Sequence, residues 1–262
     1  DYTLANEVLA QIWPLDYPDG ELGWQEARYT DGRPSAGVLA TNGLWWRYST
    51  NESNANRSRA SAISSLLLCE DYLTRPVSFA SAQGALDEAA IASAIADDPS
   101  CANCHSTLEP LAAALFGFWW FEEHNLGEMS WYHASREPLG ELVLGVGPAW
   151  FGTPIGGLAD VGEMIADDPR FTRCAAETAA EALWRREVTL ADFDTISALD
   201  DAFVRSGMSM RTLLKAVTDT PTYRAGSWPE GVSQDAAAGE MTRRMLSPDQ
   251  LSTALEDLTG FT

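Results

Sequence analysis

The segment Cys101-Ala-Asn-Cys104-His105 restricts this chain more than any other stretch. Two thiols three positions apart at a helix start can reach the two vinyl groups of one haem. The imidazole beside the second thiol then lies beneath the iron, which is the pattern of c-type haem attachment. One covalent haem c is therefore expected, with Cys101 and Cys104 as thioether residues and His105 as proximal axial ligand to iron. Two other chemistries use similar residues. A thioredoxin-type CxxC follows a strand and opens a helix inside a βαβ unit, whereas Asp97 to Ser100 reads as a turn after a helix. A zinc site needs a fourth donor close by, usually a second CxxC or a paired histidine, and none stands at that spacing.

The sixth ligand has several candidates. The other histidines are His124 and His133, alongside Met129, Met164, Met208, Met210, Met241 and Met245. If residues 105–124 form one helix, His124 lies about 28 Å along the axis from His105, too far to face it across one iron. His133 lies beyond Gly127 in a loop able to fold back, and is the favoured distal candidate, with Met129 next and Met164 third. His/His ligation implies a lower potential than His/Met. Trp119, Trp120, Trp131, Trp150 and Phe151 crowd this region and are expected chiefly as core. Glu122-Glu123 reads as a solvated helix end.

Charge limits the partners. The chain has 38 acidic and 17 basic residues, a net charge of -21, and Lys215 is its single lysine. Nucleic acid is excluded as a partner, because phosphate backbones require a basic face. Anionic lipid is disfavoured for the same reason. A redox partner protein with a basic docking face fits, steered in by the field. No apolar run reaches the roughly 18 residues of a membrane span. The chain opens on Asp1 without a signal peptide, so it is expected to be processed, trimmed or part of a longer polypeptide. No phosphate loop, nucleophile elbow or HExxH is present.

Hydrophobic periodicity predicts a mainly α fold. Residues 1–56 form an irregular N-terminal segment, with a short helix from Leu4 to Gln11 and room for one hairpin. A cytochrome c-like haem domain spans 57–157. It has helices from Arg57 to Leu73 (closed by Pro76), from Leu86 to Ala96, and from Cys101 to about His124, where Gly127 marks the end. Residues 126–157 read as a structured loop. A C-terminal helical domain, 158–225, carries helices at Leu158 to Ala166, Phe171 to Glu187, Leu190 to Arg205 and Met210 to Thr218. In the tail, 226–262, Ser247-Pro248-Asp249-Gln250 has the form of a capping box.

The stretch from Cys101 through Glu109-Pro110-Leu111-Ala112 resembles the cytochrome c-like domains of unknown function in planctomycete-type and myxobacterial secreted proteins. In those, CxxCH is followed by a D-P-L/I-G step; here Glu replaces Asp and Ala replaces Gly. Gly37 to Asn42 and Arg57 to Cys69 resemble the approach to that segment. Asp160-Val161-Gly162, Asp168-Pro169-Arg170-Phe171 and Cys174 resemble the companion C-terminal domain, though Trp184-Arg185-Arg186 stands where a GR step is usual. The resemblance covers about residues 1–225. It implies a Cys69–Cys174 disulfide, and it implies that Asp1 to Ala10 and Leu246 to Gly260 border further segments. It also implies export to the periplasm, cell surface or medium, where disulfides and CxxCH attachment both occur. The expected role is monohaem electron transfer, as a subunit or domain of a larger redox complex. The alternatives are a haem enzyme or gas-binding module with an open axial site, and a structural subunit in which haem staples the core.

Overall fold

The computed structural model describes residues 2–75, 93, 95, 98–119, 128, 131–224 and 248–260, and these are mainly helical. They divide into two compact units, Asp1–Phe171 and Thr172–Thr262. The expected helix from Leu86 to Ala96, Pro76, Gly127 and the Ser247 cap lie outside the described residues, as do Trp120, Glu122-Glu123, His124 and Met129.

The first unit opens with more order than the composition suggested. Strands β1 (Thr3–Ala5), β2 (Leu15–Asp16) and β3 (Gln25–Tyr29) form an antiparallel sheet in the order β1-β3-β2. Leu4 was expected in a helix but pairs with Glu26. Helix α1 (Glu7–Ile12) starts later because Asn6 caps it, its side chain accepting the Leu9 N–H at 3.0 Å. Beyond the sheet, Arg33 and Asp31 form a buried bidentate pair, and Arg33 Nη1 donates to Ala40 O at 2.7 Å and Asn42 Oδ1 at 2.6 Å. A cleft of about 580 Å³ beside Arg28, Tyr29 and Arg33 has none of its lining residues on the helix that carries the CxxCH segment.

Helix α2 (Asn42–Arg47) leads through left-handed Ala55 and Asn56 into α3 (Arg57–Leu68). Arg59 of α3 is 1% exposed. Its Nε donates to Tyr48 O at 2.8 Å, and its Nη1 donates to Asn56 Oδ1 and Phe118 O at 3.0 Å each. Burial lowers the pKa of this guanidinium, and these bonds hold the α2–α3 corner against the aromatic segment. Cys69 ends α3 in a left-handed conformation that usually falls to glycine. A glycine there could not form a disulfide, and Cys69, like Cys174, is disulfide-bonded.

Helix α4 (Pro99–Ala113) packs on α3. Asp98 caps it, accepting the Ser100 N–H at 2.8 Å, and Pro99 takes the first turn. The helix was expected to reach His124 and stops at Ala113. Pro110 deprives its last turns of one backbone donor. Beyond it a short 3₁₀ turn, Phe116–Phe118, directs aromatic rings to different partners. Phe118 stacks on Trp45 at 4.5 Å, Phe116 stacks on Trp119 at 5.0 Å, and Tyr132 meets Phe118 edge-on at 5.0 Å. A continuing helix could not satisfy these pairs together. Trp119 and Trp150 are buried as expected for core, while Trp131 and Phe151 are exposed.

The region expected as a structured loop holds helix α5 (Leu139–Leu144) and the hairpin β4 (Ala149–Trp150) with β5 (Thr153–Pro154). Helix α6 (Leu158–Asp167) buries Leu158, Val161 and Ile165 and closes the first core around Leu39, Trp45, Ile63, Leu111 and Phe118.

Helix α7 (Pro169–Trp184) begins where the Asp167-Asp168-Pro169 break was expected. The second unit packs α7, α8 (Phe193–Arg205), α9 (Met210–Asp219) and the short α10 (Pro221–Arg224) around Ala180, Trp184, Ile196, Phe203, Leu213 and Val217. Helix α11 (Pro248–Thr259) completes the described residues of this unit. Arg186 grips Asp192 through two bonds of 2.7 Å, and Thr189 with Asp192 forms a capping box. Among the described residues no helix is long and apolar enough to cross a membrane.

Two outcomes test this packing. A Cβ on Gly140 would stand 2.1 Å from the Ala113 carbonyl oxygen, so Gly140→Ala should lower the unfolding free energy in urea by about 3 kcal/mol with an unchanged m-value. The Arg186 hydrogen bonds hold the Asp192 carboxyl down at about 2. Its stabilising contribution is therefore complete above the unfolded carboxyl pKa and is lost as pH falls through the folded one. Asp192→Asn should cost about 2 kcal/mol at pH 7, and the gap to the natural chain should close between pH 4 and pH 2.

Candidate functional site

Helical spacing puts Cys101, Cys104 and His105 on one side of α4, within about 100° of its circumference. The same side continues through Leu108, Leu111 and Ala112, which are buried in the first core. At Cys101, Cys104 and His105 it is only half-buried. An apolar stripe that is covered in the later turns of the helix thus lies partly open where the two thiols and the imidazole sit. Both thiols are free, so they are not bonded to each other. Cys104 packs against the edge of the core, within electrostatic reach of Arg75.

Glu109, one turn on, fixes the imidazole. His105 Nδ1–H donates to Glu109 Oε1 at 2.7 Å, and Arg57 Nε–H from α3 donates to the same oxygen at 2.6 Å. Burial by itself would raise the Glu109 carboxyl pKa. The hydrogen bonds from His105 and Arg57, together with the Arg57 charge, outweigh burial and hold it below the ordinary carboxylate range. In the neutral ring an ionised acceptor places the hydrogen on His105 Nδ1, and Nε2 is then the nitrogen with a lone pair. Glu109 Oε2 is buried with no hydrogen-bond partner.

This donor set suits a haem better than a closed structural metal. Two unbonded thiols with an adjacent imidazole, its Nδ1 occupied and its Nε2 left to donate, are the groups that covalent attachment and axial ligation use. Among the described residues, no three His, Cys, Asp or Glu side chains converge as a metal-binding group.

The distal candidates stand elsewhere in the chain. His133 precedes the 3₁₀ turn Ala134–Arg136; its backbone N–H donates to Gly117 O at 2.8 Å and its Nε2 lies 3.1 Å from Glu128 O. A carbonyl can only accept, so Nε2 carries the proton in that contact and Nδ1 is the nitrogen left over. Glu128 is held in turn by Arg136 at 2.5 Å. Met164, on α6, packs against the first core.

The sequence reading passed over Glu109 as a ligand-orienting group and Arg57 altogether. Glu109 had a signal, since His105 and Glu109 are four apart on one helix and must be neighbours. Arg57 had none, because its approach depends on how α3 packs against α4.

Thiol chemistry checks this arrangement. In the haem-free chain a small alkylating reagent should modify Cys101 and Cys104 without denaturant. Cys69, which is exposed, should label once its disulfide is reduced, and the buried Cys174 only after reduction and unfolding. Mass spectrometry finding two labels on the native chain and four on the reduced, unfolded one is the expected result; no label before unfolding would contradict it.

No model of a known protein family, no curated protein and no solved structure matches the chain.

Proposed function

We propose that this chain is a monohaem c-type cytochrome-like protein of extracytoplasmic electron transfer, acting as a subunit or domain of a larger redox assembly. The observation that carries the reading is the pair of free thiols on the open part of the α4 stripe, beside an imidazole oriented through Nδ1. Cys101 and Cys104 would hold the haem as thioethers, and His105 Nε2 would be its proximal ligand. The bound group would supply reversible one-electron exchange. Glu109 holds the proton on Nδ1 and keeps the ring from turning.

The compartment follows from chemistry. Cys69 and Cys174 are disulfide-bonded, and disulfides persist where thiols are not kept reduced, which supports the periplasm or cell surface. A net charge of -21 supports a redox partner with a basic docking face. A second reading, a haem enzyme or gas-binding module with an open axial position, is favoured by one observation. The Nε2 of His133 is already engaged by the Glu128 carbonyl, so that nitrogen must break a bond before it can serve as a ligand.

The test is expression in a host able to attach haem c, followed by a pyridine haemochrome spectrum and mass spectrometry under denaturing conditions. The expected result is a mass increase of one haem, lost in the Cys101→Ala/Cys104→Ala double variant. An unchanged mass, or a haem that leaves on denaturation, overturns the reading. Carbon monoxide separates the two versions: a closed site leaves the reduced spectrum unchanged, and an open one shifts it at low gas concentration.

A further inference from the structure

Arg57 and Glu109 meet in an uneven way. A guanidinium beside a carboxylate commonly engages both oxygens in parallel. Here Arg57 Nε–H and His105 Nδ1–H converge on the single oxygen Oε1, at 2.6 and 2.7 Å, while Oε2 is buried without a hydrogen bond. Arg57 is also fixed from its other side, with Nη1 donating to Ser53 O at 3.2 Å and to Asn54 O at 3.3 Å. The two donors therefore compete for the charge of one atom. A carboxylate that accepts from Nδ1 draws that proton toward itself and makes Nε2 a stronger electron donor. A cation on the same oxygen withdraws charge from it and weakens the pull.

We infer that Arg57 and Glu109 form an antagonistic pair that sets the donor strength of His105 Nε2, Glu109 increasing it and Arg57 restraining it through their shared oxygen. This rests on the proposed role of His105 as axial ligand. Both are positioning residues, since neither touches the group on Nε2. A stronger nitrogen donor favours the oxidised, more positive iron. Glu109 thus lowers the reduction potential of the site, and Arg57 raises it by acting on Glu109.

The measurement is the midpoint potential of the haem-loaded chain and its variants. Glu109→Gln should raise the potential and Arg57→Gln should lower it, each by about tenfold in the one-electron equilibrium, about 59 mV. Charges acting only through space would give the same two signs, so the double variant decides. If Arg57 works through Glu109, adding Arg57→Gln to Glu109→Gln has little further effect; a through-space field would make the two shifts add. Additive shifts, or shifts of the same sign, overturn the inference. Should Glu109→Gln fail to fold, Glu109→Asp serves instead, because its shorter side chain withdraws the oxygen from Nδ1 while keeping the charge. An independent readout is the nuclear magnetic resonance signal of the His105 Nδ1 proton in the haem-free chain. It should move downfield in Arg57→Gln and upfield in Glu109→Gln, and an unchanged signal overturns the pair. A blank haemochrome spectrum would remove the cytochrome reading and leave that proton signal to decide.

Discussion

One buried carboxylate ties the candidate site to the rest of the first unit. Glu109 is held between the Arg57 guanidinium of α3 and the His105 imidazole of its own helix. Removing a charge from water is costly, and a buried carboxylate survives only where donors replace its hydration. The two donors come from the two helices that pack most extensively in this unit, so the arrangement that satisfies Glu109 also fixes the register of α3 against α4. His105 is oriented within its own helix by Glu109 one turn on. A slip of one turn between α3 and α4 would leave that bond in place but take Arg57 from the carboxylate.

Much of this was legible in the residues, and the remainder was hidden for identifiable reasons. Cys101, Cys104 and His105 stand out in the sequence because the chemistry proposed for them fixes their spacing. Helices α6 to α9 were found because each has an apolar face with clear caps or breaks, such as Asp168-Pro169 and Gly207. The length of α4 was overestimated because Leu111 to Phe121 is apolar on every side, and an all-round apolar run carries no periodicity to mark its end. Only the packing of Trp45 and Tyr132 against Phe118 decides where the helix gives way. The axial distance that excludes His124 as a ligand holds only along an unbroken helix to residue 124, and α4 ends at Ala113. The N-terminal sheet was missed for the opposite reason: its strands are two to five residues long and too short to display alternation.

The arginines bring fold and function together. A chain of this acidity could have placed its 17 basic residues on the surface as solubilising lysines, yet it has one lysine. Several arginines instead do internal work that an ammonium could not. Arg59 donates along several directions to carbonyls at the α2–α3 corner, Arg33 grips Asp31 bidentately beneath Tyr29, and Arg186 does the same to Asp192. A planar fork with fixed donors can satisfy such sites, whereas a point charge on a flexible stem satisfies them poorly. Positive charge committed to the interior or matched to an adjacent acid cannot offset the acidic excess outside. The surface field that remains is negative, and it is that field, together with a thiol-bearing stripe left partly open on α4, that the proposed basic redox partner would meet.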